Sequence, residues 1–222
     1  MGNTAPRISP LGDSAILIHF GDDIDLITNR RVHALDARLR RQHPPGILEM
    51  VPAYATLLLH YDPLILTCAQ AIDWVRDEMH SVQETWAQAP RRVDVPVRYG
   101  GEDGPDLAFV ASYHGASAAE IVRIHAGGDY TVFMMGFTPG FPYMGKLDDA
   151  IATPRLESPR TRVPVGSVGI AGAQTGIYPI ESPGGWQLIG RTSLKLFDPA
   201  AASPFLFSPG DSVRFLIESL DA

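Results

Sequence analysis

The sequence predicts an α+β protein in two parts, a small α+β domain over residues 1–88 and a β-rich domain over 89–222. Three observations carry that reading. Residues 1–88 alternate strand-like and helix-like apolar patterns in the order strand, helix, two strands, helix, which fits helices laid on an antiparallel sheet. Around Ala87–Arg92 the periodicity lapses as in an exposed linker, with proteolytic nicking expected at 84–92. Residues 136–195 then hold 10 of the 21 glycines and seven of the 19 prolines. These punctuate short β-segments, as in a barrel or sandwich rather than a parallel α/β sheet.

Element by element, Ala15–Phe20 is an apolar strand after the turn-like Leu11-Gly12-Asp13. Residues 24–41 place Ile27, Leu35 and Leu39 near one face of a helix, with Arg30, Arg31, Arg38 and Arg40 mostly solvated. Gly46 and Pro52 punctuate strands at Ile47–Val51 and Ala55–Tyr61, and a second helix carries Ala69, Ile72, Val75 and Met79. In the second part, Val93, Val95 and Val97 alternate as in a half-buried strand. Two short helices follow at Asp106–His114 and Ala118–His125, the latter opening on Ser117 and Glu120 at capping-box spacing. Tyr130–Gly136 reads as a buried strand. Further β-segments are expected at Ser167–Ala171, Trp186–Ile189, Leu194–Phe197 and Ser212–Ile217.

Composition limits the function classes. A hydrophobic fraction of 45% with 19% charged residues is that of a folded chain. The net charge of −7 argues against non-specific nucleic-acid binding, which needs a broad basic face. Cys68 is the single cysteine, so no intrachain disulfide forms, and it reads as a small packing residue. Residues 1–20 lack the basic start, apolar run and cleavage site of a signal peptide, and no apolar stretch approaches the ~20 residues of a membrane span. A soluble cytoplasmic protein is the expectation.

Charge distribution singles out one segment for chemistry. Residues 150–197 carry Arg155, Arg160, Arg162, Arg191 and Lys195 against Glu157 and Glu181, a net of +3 where the rest of the chain sums to −10. A basic, glycine-rich, loop-dense segment in an acidic protein fits a small anionic ligand, because guanidinium forks and exposed backbone N–H groups bind carboxylate and phosphate. The alternative is that these arginines brace loops. Gly140–Lys146 has the spacing of a phosphate-binding P-loop start, but Leu147 replaces the required Ser or Thr, Pro142 lies inside, and Asp148-Asp149 oppose an anion. No zinc-type His or Cys spacing and no Gly-x-Ser-x-Gly elbow occurs. His125 either ends a helix or faces the site from the adjoining loop. Acid–base work in the late loops would fall to Glu157, Glu181, Tyr178 or Asp198, and the catalytic residues stay unassigned.

The run Met135-Gly-Phe-Thr-Pro-Gly-Phe-Pro-Tyr-Met-Gly145 continues as Ala152-Thr-Pro-Arg155, Pro159-Arg-Thr-Arg-Val-Pro164 and Gly166-Ser-Val-Gly-Ile-Ala171. It goes on as Gln174-Thr-Gly-Ile-Tyr-Pro179 and Ser182-Pro-Gly-Gly-Trp-Gln-Leu-Ile-Gly-Arg-Thr192, and ends with Leu196-Phe-Asp-Pro199 and Pro209-Gly-Asp211. In this order the series resembles the 5-oxoprolinase B subunit family, also called KipI-like or allophanate hydrolase subunit 1. The resemblance implies a small N-terminal α+β domain followed by a cyclophilin-like β-barrel. It also implies a C subunit and an A subunit as partners, 5-oxoproline as substrate, and ATP with magnesium bound jointly with the partner. Arg160, Arg162, Arg191, Gln174, Thr175, Tyr178 and His125 are the candidate contacts to substrate or anion. Two other roles accompany the family: a regulatory protein inhibiting a sensor histidine kinase, and a carboxyltransferase component of a urea- or amide-metabolising complex.

Overall fold

The computed structural model describes residues 6–79 and 91–221. The expected linker at 84–92 therefore falls almost wholly outside the described residues. The chain divides into two compact units, Met1–Ala89 and Pro90–Ala222.

The first unit contains β1 (Arg7–Pro10), β2 (Ala15–His19), α1 (Leu26–Gln42), β3 (Ile47–Pro52), β4 (Thr56–Tyr61) and α2 (Cys68–Met79). Its strands form one antiparallel sheet in the order β1-β2-β4-β3. Ile16, Ile18, Leu57 and Leu59 alternate onto one face, where Val32, Leu35 and Leu39 of α1 and Ala71 and Val75 of α2 complete the core. Asp25 caps α1 by accepting from the Thr28 N–H at 2.7 Å, and Arg38 ties the two helices through Glu78 at 2.6 Å. Two expected core positions are corrected. Ile27 is 66% exposed, because at 100° per residue it lies about 140° around the helix from Val32. Ala69 is likewise exposed, and Ala71 takes the buried place.

The second unit runs β5 (Arg92–Gly100), α3 (Leu107–His114), α4 (Ala118–Gly127), β6 (Asp129–Met135), β7 (Pro142–Gly145), a 3₁₀ turn (Asp149–Ile151), β8 (Arg160–Val163) and β9 (Ser167–Ala171). It continues through β10 (Gln174–Ile177), β11 (Ser182–Gly184), β12 (Gln187–Arg191) and β13 (Ser212–Asp221). Seven strands close a barrel in the order β10-β7-β6-β13-β5-β12-β9, while β8 and β11 form a separate two-stranded ribbon. Of the two β architectures left open by the sequence, the fold is the barrel. Only the β5–β13 pair is parallel. Val95, Val97, Val132, Met144, Val168, Ile170, Ile177 and Ile189 belong to the main core, joined by Leu107 and Val110 of α3 and Ile121 and Val122 of α4. Ser117 caps α4 as expected, accepting from the Glu120 N–H at 3.2 Å.

Leu194–Phe197 is not a strand. Only Phe197 makes a bridge, to Phe205, in a stretch bounded by Pro199 and Pro204 that cannot sustain a ladder. Among the described residues no helix is long and apolar enough to cross a membrane.

Candidate functional site

The alternation that fills the barrel also packs a second, buried cluster against its outside. Along β7, β9, β10 and β12, Met144, Ile170, Ile177 and Ile189 join the main core, whereas Tyr143, Ala171 and Leu188 join a second cluster with Phe141, Val163, Tyr178 and Trp186. Two glycines make room for that cluster. Gly169 and Gly176 pair directly across β9 and β10. A Cβ on Gly176 would stand 3.0 Å from Trp186 Cζ3 and 2.9 Å from Phe141 Cζ, and one on Gly169 3.1 Å from Trp186 Cβ. The Gly–Gly pair is thus a seat for the indole. Phe141 meets Trp186 edge-on at 5.4 Å and Tyr178 at 5.1 Å, and Tyr143 lies 5.9 Å from Trp186.

Cations border this aromatic floor. The Leu156 N–H donates to Gly185 O at 2.8 Å, and Gln187 Nε2 donates to Pro154 O at 2.9 Å, so residues 154–156 are held beside 185–187. Arg155 is thereby carried over Trp186, its guanidinium carbon 5.9 Å from the ring centroid. Arg160, on β8, donates to Asp106 Oδ1 at 2.6 Å and to Trp186 O at 3.3 Å. Burial raises the Tyr178 hydroxyl above the usual phenol range, against the lowering effects of the Trp186 backbone, Arg155 and Arg160. Burial also raises Tyr143, opposed by Arg155. Both phenols therefore stay protonated at neutral pH.

The sequence-predicted residues divide among separate places. Arg160 and Tyr178 belong to the cluster just described. Arg162 forms an exposed ion pair with Glu181 at 2.6 Å. Arg191 reaches Asp103 at 3.4 Å, which Arg98, its cross-strand neighbour, also engages at 2.7 Å. Gln174 is half-buried at the start of β10, paired with Ala171. Thr175 and His125 are fully buried together. Thr175 Oγ1 donates its one proton to Gly169 O at 3.1 Å, so it accepts from His125 Nε2–H at 3.0 Å, and His125 Nδ1 accepts from the Tyr99 hydroxyl at 2.8 Å. Every polar atom of that imidazole is satisfied within the core.

Burial holds His125 down at about 3, so it is neutral and contributes no positive charge to the C-terminal end of α4. An unfolded chain would protonate it near 6.5. Between those values the unfolded state binds a proton that the folded state refuses, so stability falls as pH drops below 6.5. The slope is about 1.4 kcal/mol per pH unit for one group. Replacing His125 with Gln should remove that share. Urea midpoints at pH 7 and 4.5 should then differ less for the variant than for wild type; parallel shifts would show that His125 is not the group responsible.

Sequence reasoning counted Arg155 in the basic segment without making it a candidate contact, and did not single out Tyr143, Trp186 or Gln187 as contacts. Among the described residues, each other cation of the basic segment has an acid: Asp106 for Arg160, Glu181 for Arg162, Asp103 for Arg191, Asp198 for Lys195. Arg155 has none. The P-loop-like spacing is dissolved by the fold, since Pro142–Gly145 is a barrel strand, with no helix opening behind it to aim N–H groups at a phosphate. Among the described residues no three His, Cys, Asp or Glu side chains gather to hold a metal.

Residues 6–207 match the family described as the carboxyltransferase domain, subdomains C and D. The chain is also 44% identical over 220 residues to the 5-oxoprolinase B subunit of Bacillus subtilis (strain 168), covering 95% of this chain and 92% of that one. It belongs to the 5-oxoprolinase B subunit family. A second member, the 5-oxoprolinase B subunit of Escherichia coli O157:H7, is 41% identical over 212 residues, with 93% of each chain covered. Among solved structures, the crystal structure of TTHA0988 matches with a TM-score of 0.82 at 41% identity over 94% of this chain. This chain spans 40% of that longer one.

Proposed function

We propose that the chain is the B subunit of an ATP-dependent 5-oxoprolinase, acting with a C subunit to activate 5-oxoproline for hydrolysis to glutamate by an A subunit. The members at 44% and 41% identity carry that subunit name. The observation that carries the reading is the chemical character of the cluster's rim: Arg155, exposed and without an acid partner among the described residues, and the half-buried, protonated Tyr143. Such groups grip and orient a small anion, and none of them is a base at neutral pH. In this reading the rest of the chemistry is supplied by the partner subunits. The match to less than half of a longer chain is in keeping with a fold that works beside further protein.

ATP has a clear role in this scheme. A lactam carbonyl is a weak electrophile, and phosphorylating its oxygen creates a leaving group for attack by water. In this reading ATP with magnesium is bound jointly with the partner subunit. This chain's part is to hold substrate and exclude water at the aromatic floor.

Co-expression with the C and A partners should yield a complex that releases glutamate from 5-oxoproline only when ATP is supplied. Glutamate release without ATP, or ATP-dependent release by partners expressed without this chain, would overturn the proposal. The family description favours one second reading, a carboxyltransferase component acting with a biotinylated carrier protein. Carboxyl transfer from such a carrier to an amide substrate by the same complex, without glutamate release, would select it.

A further inference from the structure

β13 outruns one of its two neighbours. It pairs with β5 from Ser212 through Asp221, whereas β6 ends at Asp129, opposite Arg214. Beyond that point one edge of β13 pairs with no strand among the described residues. The ladder fixes which groups that edge offers. The Ser212 N–H donates to Arg91 O, toward β5, and in a parallel pair alternate residues bond to the same side. Arg214 and Leu216 therefore face β5, while Ile217 turns its N–H and C=O to the open side. The side chains there are apolar and exposed: Leu216 at 38%, Ile217 at 53% and Leu220 at 38%. The far end is seated, because Gly100 and Gly101, both at positive φ, leave the room for Asp221 that a Cβ on either would take. Other open edges are blunted. β1 is four residues long and ends in Pro10, β5 carries Pro96 where it runs free of β12, β3 ends in Pro52 and β11 carries Pro183.

We propose that the open edge of β13 over Ile217–Asp221 docks an extended segment of a partner protein, which adds a strand there. In that segment apolar residues alternate with lysine or arginine. Backbone groups without partners supply the affinity, and charge selects the occupant. Glu218, the extra residue where the β5–β13 register shifts, and Asp221 are acidic, and residues 215–221 hold no cation. Arg98 reaches Glu218 only at 3.9 Å and is held by Asp103 at 2.7 Å. A second copy of the chain would bring the same acidic edge with no basic residue to meet it. In the complex proposed above the segment belongs to a partner subunit, and for that identity the inference rests on the function given there.

The test needs no partner at first. An eight-residue peptide of alternating valine and lysine is titrated into the full chain, with a valine–glutamate peptide as control. The lysine peptide should bind saturably and slow hydrogen exchange of the Ile217 amide, read by NMR, and the glutamate peptide should do neither. Glu218→Lys should weaken the lysine peptide about fivefold to tenfold, since an attraction is lost and a repulsion added. Ile217→Pro removes the open-side donor at a bulge, where proline is tolerated, and should abolish binding with the far-UV circular dichroism unchanged. No binding of the lysine peptide, equal binding of the two peptides, or undiminished binding by Glu218→Lys would overturn the docking site. Ile217 protection that rises with the concentration of the chain alone would overturn it in favour of a second copy. The same amide is then followed in the complex with the C and A partners. If that complex releases glutamate while Ile217 exchanges as in the free chain, the docking site fails and the function stands. If Ile217 is protected in the complex but no glutamate is released, the function fails and the docking site stands.

Discussion

Replacing Asp106 with alanine should lower the stability of the second unit by about 3 kcal/mol, the order expected when one partner of a largely buried ion pair is removed. Three attachments meet at this residue. Asp106 Oδ1 holds Arg160 at 2.6 Å, and Oδ2 accepts from the Leu188 N–H at 2.6 Å. That N–H sits at an irregularity: the β9–β12 register shifts between Leu188 and Gly190, so the ladder does not run evenly there. The Asp106 backbone N–H donates in return to Leu188 O at 2.9 Å, so one residue clamps both polar groups of Leu188 and fixes the start of α3 to β12. Alanine keeps the backbone bond but leaves the Leu188 amide without its acceptor and the Arg160 guanidinium without its counter-charge, held only by Trp186 O. Thermal unfolding should shift down by about 10 °C, and Asp106→Asn should fall between, keeping an acceptor for Leu188 without the charge. A shift within the error of measurement would mean that the Asp106 contacts are dispensable.

Substitution of Gly176 should also be severe, for a steric reason. Its backbone is ordinary strand, so valine is favoured there by local propensity. The side chain would nonetheless enter space already filled by Phe141, Trp186 and the Pro142 carbonyl, all within 3.0 Å of the added Cβ. Overpacking of this kind costs about 1–3 kcal/mol, and the surrounding strands leave little room to relax. The mechanism has its own check. Gly176→Ala and Trp186→Leu should each destabilise alone, and the double variant should be better than their sum by about 1 kcal/mol, since removing the indole removes one of the three close contacts and lets the ring of Phe141 give way. Strict additivity would show that the glycine is required for something other than the Trp186 seat.

Much of the fold was legible because its strands and helices announce themselves by period. Ile16, Ile18, Leu57 and Leu59 alternate cleanly, as do Val95, Val97 and Tyr99. The strands that escaped notice are short and poor in apolar alternation: Arg7–Pro10, Pro142–Gly145, Arg160–Val163, Gln174–Ile177 and Ser182–Gly184. They form through pairing with other strands, close in sequence for Gln174 with Ala171 and farther for Val163 with Ser182, rather than through local preference. The site was legible in its sign and not in its members. The +3 segment supplies Arg155 and Arg160 to the candidate cluster, but which arginine lacks an acid depends on Asp103 and Asp106, more than fifty residues upstream of the arginines they engage. Likewise nothing in the sequence marks Gly169, inside an expected strand, and Gly176 as a pair, until their pairing across two strands reveals the indole seat. His125 drew notice as a lone titratable group near the site, whereas the fold uses it as a satisfied core residue between Tyr99 and Thr175.

The dependence of lactam opening on this chain is tested most directly by an add-back titration. C and A partners expressed without it receive increasing amounts of the purified chain, with 5-oxoproline and ATP in excess, and glutamate is measured. Partners alone and the chain alone should both stay at background, with turnover rising on addition and levelling off at a fixed ratio of chain to partner. Glutamate formation by the partners at an undiminished rate without the chain, or by the chain on its own, would contradict a role as an obligate subunit.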